Sequence, residues 1–179
     1  MHRRLSLPAL AFLIGLAVAG TARAQVLPPA AAPLVPQVRE AGQGRLTWWG
    51  LHIYDARLYV SGAAFRAGEP FALALRYARD FEGQRIADTS LDEMRRLGFG
   101  NEADQRRWRD AMLALFPDVK RGDELIGVSV PGRGAVFFHN GRRIGEVDDP
   151  GFARAFFAIW LDPRTRAAEL RQRLLGEAG

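Results

Sequence analysis

Few side chains of this sequence stand at spacings that do chemistry. Beyond the N-terminal stretch the histidines are His52 and His139, and neither has a partner at metal-ligand spacing, so no metal centre is expected. Ser61, Ser90 and Ser129 have no nucleophile elbow or histidine pairing around them, no phosphate loop is present, and no cofactor is implied. What remains is polar groups suited to binding. Arg45, Arg57 and Arg76 fall in strand-like runs, with Asp55 two positions from Arg57 on one face and able to pair with it. The plain reading of each arginine is a stem along the surface and a head in water; the sharper one is a clamp on an anion. Asp148-Asp149 precedes a proline and reads as a helix cap rather than an acid/base pair. Loss of the Asp149 cap should then cost only about 1 kcal/mol.

The elements that hold these groups are clearest from Lys120 to Leu161. Glu124 to Val130 alternates, with Ile126, Val128 and Val130 on one face, and Pro131-Gly132-Arg133-Gly134 supplies a turn. Ala135 to His139 is the next strand. Asn140-Gly141, the pair best able to adopt positive φ, makes a type I′ hairpin with Arg142 to Glu146. Asp149-Pro150 then starts a helix with Phe152, Phe156 and Trp160 at i, i+4, i+8 and Ala153, Phe157 and Leu161 beside them, so one wide face must be buried. Upstream, Arg45 to Trp49 and His52 to Val60 are strands turning at Gly50. Phe71 to Tyr77 alternates large residues with Ala72, Ala74 and Arg76, a small-residue face that lets something pack close. Gln84 to Leu97, Glu102 to Phe116 and Thr165 to Leu175 have helical spacing. About six strands grouped as hairpins, with four helices, point to an α+β fold with an antiparallel sheet and helices on one face.

Composition narrows the function. With 179 residues, 48% hydrophobic and 25% charged, the chain suits one domain. His2, Arg3 and Arg4, an apolar run from Leu5 to Gly20 and the small-x-small Ala22-Arg23-Ala24 read as a secretory signal cut after Ala24. The run is short of the ~20 residues a membrane span needs, so no transmembrane segment is expected after cleavage and the location is periplasmic or secreted. Residues 25–41, with Pro28, Pro29, Pro33 and Pro36 among alanines, read as a poorly ordered linker ahead of a domain over 42–179. There is no cysteine, which excludes disulfides, thiol chemistry and lipidation on an N-terminal cysteine. Without Arg3, Arg4 and Arg23, the 22 basic and 20 acidic residues leave +2, with signs interspersed; nucleic acid is not the expected partner.

In order, Gly44-Arg45-Leu46, Gly50, Ile53-Tyr54-Asp55-Ala56, Leu58-Tyr59-Val60, Phe116-Pro117-Asp118-Val119-Lys120-Arg121-Gly122-Asp123, Val136-Phe137-Phe138, Asn140-Gly141 and Ile159-Trp160-Leu161 resemble the bacterial chalcone-isomerase-like proteins over nearly all of the chain beyond the signal. The resemblance implies an open-faced sandwich, a curved antiparallel sheet with helices across it and an apolar cleft between. Members of that wider fold either close a flavanone ring, bind fatty acids or have no known catalysis, and fold alone does not choose.

The catalytic members use an arginine on the first strand, and Arg45 is the nearest match, although alignment on Leu46 and Gly50 puts that place on Gly44, one residue off and so on the other face. A threonine of the next strand corresponds to Tyr54 or its neighbour, and one late in the apolar helix becomes Ile159, which has no hydroxyl. No catalytic residue is therefore assigned. The expectation is retention of a small apolar or amphiphilic molecule with an anionic head: Arg45, with Arg57 as a further candidate, on the head, Tyr54 adding a hydroxyl, and Leu75, Phe156, Ile159 and Trp160 around the tail. Intramolecular lyase or isomerase action on an enone, and an assembly role with a filled cleft, are the alternatives.

Overall fold

The computed structural model describes residues 27–177; the stretch read as a signal, residues 1–24, lies outside them. The strands β1 (Val38–Trp48), β2 (Leu51–Ser61) and β3 (Phe71–Tyr77) are followed by helices α1 (Gly83–Arg96) and α2 (Glu102–Leu115). Strands β4 (Glu124–Val130), β5 (Gly134–His139) and β6 (Arg142–Val147), then helices α3 (Pro150–Leu161) and α4 (Ala168–Leu174), complete the order. The strands form one six-stranded antiparallel sheet in chain order. The result is the α+β open sheet with helices on one face that the hairpin signals imply. Among the described residues no helix is long and apolar enough to cross a membrane.

Local chemistry places the elements. Trp49-Gly50 and Asn140-Gly141 both turn with positive φ at the two central residues, as a type I′ hairpin requires. Asn101 and Asp104 form a reciprocal capping box at the start of α2. Glu82, the N-cap of α1, makes no side-chain cap; Asp118 accepts from the Gly83 N–H instead, at 2.8 Å. On β1 the helix-side positions are Gly42 and Gly44. A Cβ at Gly42 would lie 2.0 Å from the Arg173 carbonyl oxygen, so glycine is what lets α4 rest directly on the strand.

Alternation along β2 and β3 sorts the side chains into two cores. Tyr54, Ala56, Leu58 and Val60, with Phe71, Leu73, Leu75 and Tyr77, face the helices and join the buried rings of α3. Tyr59, Ala72, Ala74, Ile126, Val128, Val136 and Phe138 face the opposite way. That second face is not bare. Leu27, Ala31 and Val35 are buried on it, with a 3₁₀ turn at Ala32–Leu34 and Ala31 N–H bonded to the Pro28 carbonyl. From residue 27 on, the stretch expected to be a poorly ordered linker is therefore part of the fold, and residues 38–41 already belong to β1. The physical reason is that three apolar side chains pack with the small Ala72 and Ala74 face and bury enough surface to order a proline-rich chain.

Candidate functional site

The interior between sheet and helices is apolar except for a few groups at one end. Tyr54 enters from β2 because position 54 has the inward parity of Leu58 and Val60, and Trp160 enters from α3 one turn beyond Phe156. Both are buried, and the Trp160 indole N–H donates to the Tyr54 hydroxyl at 2.8 Å. Tyr77 lies edge-on to Tyr54 at 5.9 Å between ring centres. Burial pushes both phenols well above their ordinary range. For Tyr54 the bond from Trp160 offsets only part of this, and the nearby Glu93 carboxylate raises it further. Both are thus neutral donors at physiological pH. Among the described residues, neither the Tyr54 nor the Tyr77 O–H has an acceptor, which leaves both protons available to a bound molecule. Glu93 itself holds Arg96 at 2.8 Å and Arg166 at 2.7 Å, so two guanidiniums stand around that carboxylate.

Aromatic rings form the rest of the interior. Phe156 contacts Phe116, Phe137, Phe152, Phe157 and Trp160 at ring separations of 5.2–5.9 Å. Leu75 is buried beside them and Ile159 lies partly buried at the margin. The structure therefore brings together Tyr54, Leu75, Phe156, Ile159 and Trp160. It does not bring Arg45 or Arg57 to them.

Arg45 pairs across the sheet with Asp55, at 3.0 Å, on the face turned away from the helices. The register continues Asp55 to Arg76 and Arg76 to Glu124, giving a row of alternating sign across four strands. Each such neighbour contributes about 0.2–1 kcal/mol, and the row neutralises itself. Arg57 donates to Gln43 at 3.1 Å on that same face. An open recess of about 710 Å³ is lined there by Arg45, Arg57, Arg76, Asp55 and Glu124, with Arg173 from α4. The clamp expected at Arg45 is thus corrected by strand parity: Leu46 faces the core, so Arg45 cannot. The inward place is Gly44, whose Cβ would meet Leu170 and Arg173 side-chain atoms at 2.8–3.2 Å. Arg173 was not singled out in the sequence, where only the spaced glycines of β1 hint that another element crosses. Glu93, Arg96 and Arg166 were likewise missed, since only tertiary packing gathers them. Among the described residues no group of His, Cys, Asp and Glu could hold a metal ion.

Comparison with known proteins agrees with this fold. The family model for chalcone isomerase-like proteins matches residues 41–176, and the chain belongs to that family. The crystal structure of a fatty-acid binding protein from Arabidopsis thaliana superposes with a TM-score of 0.60 at 13% identity, covering 85% of this chain and 96% of that one. A search of curated proteins gives no sequence match.

Proposed function

We propose that this protein is a non-catalytic binder of a small amphiphile, held between sheet and helices with its head at Tyr54. The observation that carries the reading is the buried Tyr54 hydroxyl, which accepts from Trp160 and keeps its own proton for an acceptor. A carboxyl or phenol head takes that proton as a hydrogen bond, with the Tyr77 O–H beside it and Arg96 and Arg166 around Glu93 as the guanidiniums of the same region. The tail lies among Leu75, Phe156 and Trp160, and the two aromatic rings must turn to admit it. The binding named for the Arabidopsis thaliana structure supports the ligand class. Ring closure of an enone is the weaker reading. It needs a positive group where charge passes between phenolate and carbonyl oxygens, and the helix side of β1 offers Gly42, Gly44 and Leu46.

Titration with a fluorescent long-chain fatty acid tests this. Wild type should saturate, Tyr54→Phe should bind about 3–10-fold more weakly, as one neutral hydrogen bond is lost, and Arg45→Ala should bind as wild type does. A 2′-hydroxychalcone should close no faster with protein than without. Failure of wild type to bind favours the filled, assembly-type cleft, and a rate above background favours the isomerase.

The proposal includes export. A cut after Ala24 leaves Gln25 two residues before Leu27, which is buried on the outer sheet face and would anchor the new terminus. N-terminal sequencing of protein from a bacterial periplasmic extract should begin at Gln25; an intact Met1 in the membrane fraction would end the export reading.

A further inference from the structure

The β1–β2 hairpin ends in Trp48-Trp49-Gly50-Leu51, and its tip is the most apolar exposed point among the described residues. Trp49 is 88% exposed, Trp48 54% and Leu51 48%, whereas Trp108 and Trp160 are buried. Neither tip indole N–H has a hydrogen-bond partner among the described residues. The turn is also chemically odd. The two hairpins with two-residue turns both have positive φ at those residues, but β5–β6 uses Asn140 at the first of them and β1–β2 uses Trp49, at φ 50°. A bulky aromatic in left-handed backbone is strained, and here the strain yields no packing in return. Such a violation of a local rule points to a role outside the fold.

We propose that this tip inserts into the interfacial layer of a lipid bilayer. Its shape is a protruding wedge rather than a groove, so it is built to enter something soft. Tryptophan suits the headgroup boundary, where the ring meets acyl chain and the N–H meets water or a carbonyl. The charges beside the tip match an anionic surface. Arg79 donates to the His52 carbonyl from the turn after β3, and Asp80 in that turn accepts from the Arg121 N–H, which brings the 120–121 segment alongside. Lys120 pairs with Asp80, while the guanidiniums of Arg79 and Arg121 have no acidic partner among the described residues. The tip also lies at the end of the sheet that carries Tyr54 and Tyr77, so docking would bring the interior donors close to the lipid. The inference does not depend on the ligand reading, because it is tested without a ligand.

The test is partition of the full-length mature protein onto vesicles of phosphatidylcholine with about one third phosphatidylglycerol, read by co-sedimentation and by quenching of tryptophan emission with bromine-labelled acyl chains. Wild type should sediment with the vesicles, and the exposed fraction of its emission should be quenched. Trp49→Asn restores the residue the turn prefers. It should raise the melting temperature by about 2–4 °C and yet bind the vesicles at least tenfold more weakly, and Trp48→Ser should weaken them similarly without unfolding the chain. Opposite changes in stability and partition cannot come from a structural role alone. Wild type remaining in the supernatant, or Trp49→Asn partitioning as wild type does, overturns the proposal. A concentration-dependent dimer that Trp49→Asn abolishes, with no vesicle binding, assigns the tip to a second copy of the chain instead.

Discussion

Phe156→Ala should lower the unfolding free energy by about 3–5 kcal/mol, the usual effect of truncating a buried phenylalanine. The ring is buried at the centre of the aromatic cluster, stacked on Phe152 at 5.5 Å and edge-on to Phe137 at 5.2 Å and to Trp160 at 5.4 Å. Its removal leaves a void bounded by three elements, α3, β5 and the end of α2, which cannot all move in to fill it. Urea unfolding of the two proteins measures the difference. A loss under 1 kcal/mol would mean that the interior already holds space there, and the cleft would then be open without a ligand.

Asp149→Ala should cost about 2–3 kcal/mol, more than a helix cap alone. Asp149 caps α3 through the N–H groups of Gly151 and Phe152, at 2.7 and 3.1 Å, and its other oxygen accepts from the buried Trp108 indole at 2.8 Å. The value of about 1 kcal/mol expected for a cap is corrected upward, because the substitution also strands the Trp108 donor in the core. Burial opposes ionisation of Asp149, but Trp108, the two backbone N–H groups and Arg107 together outweigh it and hold the carboxyl below the usual range. A depressed pKa contributes stability that is complete above the unfolded value, about pH 4, and is lost as pH falls through the folded value. The gap between wild type and Asp149→Ala should accordingly narrow below about pH 4. Melts at pH 7 and pH 3 check both statements, and a gap that widens in acid would contradict the ionised cap.

The parts of the fold that were readable from the residues are those that local chemistry fixes. Asn140-Gly141 and Asp149-Pro150 set a hairpin and a helix start that the structure reproduces, and β4 spans Glu124–Val130 as alternation implies. The start of β1 was not readable, since Gly42 and Gly44 weaken a strand pattern and owe their presence to α4 crossing above them. The order of the proline-rich segment is not legible in its composition, since it comes from Leu27, Ala31 and Val35 packing on the outer sheet face. At the site, Tyr54, Phe156 and Trp160 share one interior because each carries a parity or a helical phase, whereas Arg45 was carried to the wrong face by a one-residue offset. Glu93 with Arg96 and Arg166 joins α1 to a segment 73 positions further on, and nothing local announces such a contact.

The chain-order sheet also dictates a sequence of events in folding. Strands β1 to β3 form one three-stranded half through near neighbours, and β4 to β6 form the other, but β3 meets β4 only across residues 78–123. Local hairpins close in microseconds, while a long intervening segment adds closure entropy that grows with the logarithm of its length, so the joining of the halves is the step expected to be slow. The 27–35 segment rests on Ala72 and Ala74 of one half and on Ile126, Val128, Val136 and Phe138 of the other. Its docking surface does not exist until the seam has closed. The first stretch of the domain to leave the ribosome is thus expected to be the last to dock, and once there it lies as a clasp across the seam.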